Sequence, residues 1–335
     1  MAVTLAQVAA HAGVSTQTVS NAINSPELVR TETLARVQQS IRQLGYTVNL
    51  RAKNLRQQRT GTIGIRVRPF DADNAGILFD RLLHELSAQA AGYDKHVMLF
   101  TAADEAEEVR IIRRMRAQSL ADEFILTDTH PEDQRAAALV ADGVRFVAFG
   151  RPWEAPEDEP PHSWVDVDGR AGTAEATRAL LAAGHTRIGF LGWPAGSPTG
   201  DDRRAGWASV MSAAGLPATE IEKLTVRSED HLTAASAAAP HLLKLDVDAV
   251  VCASDSLAGG MVTAIGQAGA VVSVVGFDNT TLAAGFGFSS IDQQLGSVAR
   301  EILAALERSI DDPGSLLVAP RLVTRTDPRW GIRTT

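Results

Sequence analysis

Apolar residues repeat at helical spacing over residues 3–46, and beyond residue 60 they gather into short solid runs. In the first part, Leu5, Val8 and Ala9 give one apolar face to a helix that Thr4 can cap. Gly13 permits a sharp turn, because a residue without Cβ takes positive φ at little cost. Ser15 caps a second helix running from Thr16 to about Ile23. Val14, Val19 and Ile23 face inward, which leaves Thr16, Gln17, Thr18, Ser20 and Asn21 outside. A third amphipathic helix runs from about Thr31 to Leu44, with Leu34, Val37, Ile41 and Leu44 inward, and stops at Gly45-Tyr46. Two short helices about a tight turn, one side apolar and the other rich in hydrogen-bonding groups, are what a helix-turn-helix needs to meet base edges in a major groove. The competing reading is an ordinary helical bundle with a polar surface.

The second part alternates. Thr62–Val67, Val97–Phe100, Phe124–Thr127 and Phe146–Phe149 read as buried strands, with helical stretches near 75–91, 105–119 and 132–141. Residues 151–162 (RPWEAPEDEPPH) carry four prolines and four acids and read as a loop between lobes. The alternation then restarts: strand Trp164–Val167, helix Gly169–Ala183, strand Ile188–Leu191, helix 201–214, strand Leu224–Val226 and helix 231–244. Strand Val250–Cys252, helix 255–268, strands Val272–Val275 and Ser289–Ile291, helix Gln293–Ser309 and a last strand near Leu322–Thr324 complete it. This order predicts parallel sheets covered by helices on both faces. Two such lobes would place a ligand cleft between the carboxyl ends of their strands.

Charge changes the picture. The whole chain carries −8, which alone argues against nucleic acid. Residues 1–60, however, hold seven Lys and Arg against two acids (+5), leaving 25 against 38 (−13) for the rest. A basic module on an acidic body suits a DNA binder with a separate sensing domain. The lone Cys252 excludes an intrachain disulfide and a cysteine-based metal cluster. With no signal-peptide pattern and no run of membrane-spanning length, a soluble, cytoplasmic protein with no membrane partner is expected.

These residues carry a resemblance. The VTL start, the run at Ala9–Ser20, Asn24, Gly45-Tyr46, Ala52 and Leu55 resemble the headpiece and hinge of the lactose-repressor (LacI/GalR) family of bacterial transcription factors. The body resembles the same family, whose core looks like a periplasmic sugar-binding protein. The matching stretches are Thr62–Ile65, Asp166–Gly192, Arg203–Trp207, Ser254–Gly260, Ser273–Asn279, Ser289–Gln293 and Ala319–Arg325. The implied fold is an N-terminal all-α helix-turn-helix headpiece plus an α/β periplasmic-binding-protein-like core of two doubly wound parallel-sheet lobes. The implied domains are a headpiece at 1–46, a hinge at 47–59 and an effector-binding and dimerisation core at 60–335. Within that core the N-lobe takes about 60–162 and 293–318, and the C-lobe about 163–292 and 319–335.

By this resemblance Thr16, Gln17 and Asn21 read bases; many relatives carry Arg at the place of Asn21. Thr4, Ser15, Thr18, Ser20, Asn24 and Thr33 fit phosphate contacts, with plain helix capping as the competing role of each. The hinge would fold on DNA, with Ala52 and Leu55 at the minor groove and Leu55 wedged into a base step. The competing role of Leu55 is to pack on its own headpiece. The effector would meet Asp278, Arg203, Trp164, Thr199, Ser254, Gln293, Arg151, Trp193 and Phe70.

The implied protein is a homodimeric repressor of carbohydrate-utilisation genes on a pseudo-palindromic double-stranded operator, switched by a small-molecule effector, most simply a sugar. A purine-type corepressor is the alternative. No cofactor, metal or catalytic residue is expected. A transport-type binding protein should carry an export signal and lack the headpiece. An enzyme reading finds no GxSxG, Walker loop or GxGxxG after a strand, and no His pair at metal-ligand spacing. Asp166 and Asp168 could share a strand face as an acid–base pair, against a structural turn role.

Overall fold

The computed structural model describes residues 3–46, 60–67, 77–153, 162–327 and 330–332. They form two compact units, Met1–Thr60 and Gly61–Thr335. The expected hinge with Ala52 and Leu55, and also Phe70, lie outside the described residues.

Among its described residues, the first unit holds three α-helices, α1 (Leu5–Ala12), α2 (Thr16–Asn24) and α3 (Thr31–Leu44), with a 3-10 turn at Pro26–Leu28. Thr4 and Gln7 form a reciprocal capping box at α1, and the Ser15 hydroxyl accepts the Thr18 N–H at α2. Gly13 ends α1 at φ +61, so the turn uses the left-handed conformation that only glycine adopts freely. Val8, Ala9, Ala12, Val19, Ala22 and Val37 close a small core, with Val14, Ile23, Leu34, Ile41 and Leu44 packed around it.

In the second unit, strands β1 (Thr62–Arg66), β2 (His96–Phe100), β3 (Glu123–Leu126), β4 (Arg145–Phe149), β5 (Trp164–Val167) and the later β11 (Ser315–Val318) make one sheet, ordered β11-β5-β4-β3-β1-β2. Strands β6 (Ile188–Gly192), β7 (Thr225–Arg227), β8 (Ala249–Cys252), β9 (Ser273–Phe277), β10 (Ser289–Asp292) and β12 (Arg321–Val323) make the other, ordered β12-β10-β9-β8-β6-β7. Among the described residues all pairings are parallel except β10 with β12. Solid runs such as Ala249-Val250-Val251-Cys252 are buried at every position, as strands covered on both faces must be.

The helices on the first sheet include α4 (Ile77–Ala90), α5 (Glu105–Ala117), α6 (Gln134–Ala141) and the late α14 (Leu295–Leu306). Those on the second include α7 (Gly169–Ala182), α8 (Pro198–Ala213), α9 (Ala218–Lys223), α10 (Leu232–Ala238), α11 (Pro240–Leu243), α12 (Asp255–Ala268) and α13 (Thr281–Phe286). The chain passes between the sheets after β5, after β10 and between β11 and β12. Among the described residues no helix is long and apolar enough to cross a membrane.

Three expectations need correction, and three short elements were not foreseen. β5 pairs with β4 and β11, so the first lobe runs through Val167 and the second does not begin at 163. Residues 151–162 therefore join two strands of one sheet rather than two lobes. The stretch 231–244 is two helices, because Pro240 has no N–H to continue the first and suits the opening turn of the second. The short edge strand β11 and the helices α9 and α13 have too few residues for a clear period.

Helices α7 and α8 pack closely enough that a glycine is required. A Cβ on Gly206 would lie 2.1 Å from the Arg170 carbonyl oxygen and 2.2 Å from Thr173 Oγ1. The same Thr173 hydroxyl donates to the Arg203 carbonyl at 2.6 Å, so this contact sets the position of Arg203. Gly206→Ala is expected to destabilise the core by about 1–3 kcal/mol, the usual cost of overpacking, read as a lower thermal midpoint. An unchanged midpoint would contradict the packing.

Candidate functional site

In the headpiece, α2 presents Thr16 and Gln17 exposed and Asn21 half-buried on the same side. Gln17 Nε2 donates to Asn21 Oδ1 at 2.9 Å, the i, i+4 reach along one helix face. Several of the hydroxyls expected at phosphates are already engaged. Thr4 sits in its capping box, and Ser15 Oγ lies 2.8 Å from Thr18 Oγ1. Thr33 lies half-buried in the first turn of α3, a helix with no side-chain cap. Its first-turn N–H groups are therefore open to an anion. Ser20 is half-buried on α2, and Asn24 is the last residue of that helix.

In the core, parallel order aligns the carboxyl ends of the second sheet. Gln293, Asp278, Ser254 and Trp193 follow β10, β9, β8 and β6 in spatial order. Helix α8 brings Arg203 to the same place. Its guanidinium, with 6% of the side chain exposed, lies 3.7 Å over the Phe277 ring and 5.0 Å from the Trp193 ring. It donates to the Ala253 carbonyl at 2.5 Å and stands 3.8 Å from Asp278 Oδ1. Gln293 Nε2 donates to the same carboxylate oxygen at 2.6 Å. Asp278 and Asn279 have φ of +108 and +47, a costly conformation for residues with a Cβ.

Burial controls the electrostatics. It pushes the Asp278 carboxyl up to about 7, against the pull of Arg203, with a further push from Asp255. Asp255, beneath it, is raised to about 6 by burial although Ser290 and Thr280 donate to it. The Arg203 guanidinium is lowered by burial, opposed by Asp278, Asp230, Asp166 and Asp202. Among the described residues, Arg203 Nε and Trp193 Nε1 are buried and find no hydrogen-bond partner. Two donors are thus left open beside one crowded carboxylate.

The first lobe contributes two arginines. Arg151, after β4, donates to Asp166 Oδ2 at 2.8 Å and reaches Asp202 of α8 at 3.6 Å. It also lies 4.6 Å from the Trp153 ring. Arg81 of α4 donates to the carbonyls of Asp278 and Asn279, both at 3.1 Å. Both arginines bridge the two lobes.

The expected residues do not all converge. Asp278, Arg203, Gln293, Trp193 and Ser254 meet in the second lobe, and Arg151 reaches α8 from the first. Thr199 lies one turn before Arg203, half-buried. Ser254 is spent: its hydroxyl caps α12 at Leu257 and donates to Asp230. Trp164 is a correction. It is the first residue of β5, the end away from the cleft, and packs in the core with Phe124 and Phe146. Asp166 serves Arg151, while Asp168 caps α7 through the Ala171 N–H. Sequence reasoning missed Phe277, Asp230, Asp202 and Arg81, whose roles depend on contacts between distant elements.

Among the described residues, Glu105, His130 and Asp133 are close enough to share a cation. Both oxygens of Asp133, however, already accept from the buried Arg135 guanidinium, at 3.0 and 2.7 Å. The group reads as an ion-pair network rather than a metal site.

Comparison with known proteins agrees with this architecture. Residues 4–49 match the family described as bacterial regulatory proteins, lacI family. Residues 60–311 match periplasmic binding proteins and sugar binding domain of LacI family. The HTH-type transcriptional regulator CelR of Thermobifida fusca is 30% identical, with 96% of this chain and 97% of that one covered. AglR of Rhizobium meliloti is 32% identical over 81% of this chain and 75% of its own length. Among solved structures, a CelR–cellobiose complex superposes with a TM-score of 0.70 at 28% identity, covering 96% of this chain and 99% of that one. A lac repressor dimer bound to operator and an anti-inducer gives 0.74 at 20% identity over 97% and 98%, a likeness of fold. A three-helix reader joined to a two-lobed receptor, matched on both parts, makes this chain a member of the LacI family of transcriptional regulators.

Proposed function

We propose that the chain is a homodimeric, cytoplasmic repressor of carbohydrate-utilisation genes whose operator affinity is set by an uncharged sugar bound at Asp278 and Arg203. The observation that carries the effector reading is the convergence of Asp278, Gln293 and Arg203 at adjoining strand ends, with the open donors of Arg203 and Trp193 beside them. A polyol offers both donors and acceptors to such a site. The named CelR–cellobiose complex supports a sugar. Charge supports an uncharged one: Asp166, Asp202, Asp230 and Asp278 surround Arg203, with Arg151 as the second cation. A sugar phosphate would add anions to that excess. The purine alternative has less support, because Arg203 already covers the Phe277 and Trp193 rings.

On the DNA side, Thr16, Gln17 and Asn21 form the base-reading face of α2. Thr33 and the open first turn of α3 receive phosphate, as Thr4, Ser15, Thr18, Ser20 and Asn24 do where capping leaves an acceptor free. Ala52 and Leu55 occupy the minor groove at the operator centre. Effector binding changes the relation of the lobes, and the two states differ in operator affinity.

A thermal-shift panel of uncharged mono- and disaccharides, cellobiose included, should contain a ligand that raises the midpoint; about 2.7 kcal/mol of stabilisation corresponds to a ligand at 100 times its Kd. Sugar phosphates should give none, and Asp278→Ala should abolish the shift. An unchanged shift in that variant would remove Asp278 from the site. For the hinge, Leu55→Ala should weaken operator binding and reduce DNA bending in a gel-phasing assay; normal bending would refute the wedge.

The apo protein also makes a pH prediction. The Asp278 carboxyl is raised from its ordinary 3.8 to about 7. Its protonated form therefore stabilises the fold fully below pH 4, and that contribution is lost as pH rises through about 7. Asp278→Asn should gain in thermal midpoint over the parent as pH goes from 5 to 8. A constant difference over that range would show that Asp278 ionises normally.

A further inference from the structure

We infer that Asn21 is a positioning residue that fixes Gln17 as a reader of adenine rather than guanine. The inference rests on the reading of α2 as the major-groove helix. Gln17 Nε2 donates one of its two hydrogens to Asn21 Oδ1 at 2.9 Å. Gln17 is exposed, and Asn21 lies one turn along the same face.

A free glutamine amide carries two N–H donors and one carbonyl acceptor. It can turn both hydrogens outward, or one hydrogen and the oxygen. The bond to Asn21 consumes one hydrogen and fixes the plane of the amide. What remains is one N–H and Oε1. Adenine offers N7 as acceptor and N6–H as donor in the major groove, whereas guanine offers two acceptors, N7 and O6. The pinned amide matches adenine bidentately. Against guanine, Oε1 would face a second acceptor.

Asn21 thereby acts on sequence choice without needing to touch a base. Its side chain matters as an acceptor. Asp at this position would accept the same bond, and Ala would release it. The opposite arrangement, with Asn21 donating to Gln17 Oε1, would leave two outward N–H groups and favour guanine.

The test is selection from a random duplex library with the full-length protein and its Gln17→Ala, Asn21→Ala and Asn21→Asp variants. Anisotropy titration of duplexes differing at single base pairs follows. The half-site position that loses information in Gln17→Ala identifies the base read by Gln17. At that position the parent should prefer A over G by about fivefold or more, the scale of one good bidentate contact. Asn21→Ala should bring that ratio close to one while the midpoint of unfolding stays unchanged. Asn21→Asp should keep the ratio while binding all duplexes more weakly, because it adds an anion near phosphates.

A preference for G at the Gln17 position would overturn the inference. So would an Asn21→Ala variant that keeps the preference for A, or one that changes a different position from Gln17→Ala, since Asn21 would then read its own base. Failure of the parent to enrich any sequence would instead strike at the major-groove reading itself.

Discussion

The buried cation of Arg203 is the constraint around which the receptor is built. A guanidinium with 6% of its side chain exposed must recover what it loses in leaving water. The Phe277 ring, the Ala253 carbonyl and the surrounding carboxylates supply part of that return. They do not supply all of it, because among the described residues Nε finds no partner. The same burial holds Asp278 near neutral pH in its titration. On the proposed reading, a polar ligand supplies what these groups lack.

That site is placed where it can report. Asp278 belongs to the second lobe, yet its own carbonyl and that of Asn279 receive the Arg81 guanidinium from the first. Across the cleft, Arg151 and Asp202 face each other at 3.6 Å. A ligand that moves the Asp278 loop acts on bonds between lobes. Three connections, after β5, after β10 and through Ala319-Pro320, join the lobes, and on the proposed reading they are where the lobes reorient. Two lobe arrangements with unequal ligand affinity are all that linkage requires.

Much of this was legible in the chain. The capping residues Thr4 and Ser15, the turn at Gly13 and the inward faces of three helices followed from local chemistry alone. So did the alternation of solid strands with helices, whereas the grouping of Asp278, Gln293 and Arg203 was what the resemblance to the LacI/GalR family implied. The boundary between lobes was not legible, because strand order is decided by pairing: nothing local in Trp164–Val167 says that it lies between β4 and β11. Trp164 misled for the same reason. An indole reads alike at either end of a strand, and only the direction of β5 puts it in the core. Gly206 and Phe277 were silent because their work is done against residues far away in sequence.

The most direct test of the account joins its two halves. Operator binding would be measured by fluorescence anisotropy, on a duplex selected by the protein itself, with and without a saturating sugar found to bind the core. The account predicts a change in operator Kd of about 5- to 150-fold, the usual range of allosteric coupling. The same Kd in both conditions, with the sugar demonstrably bound, would contradict it.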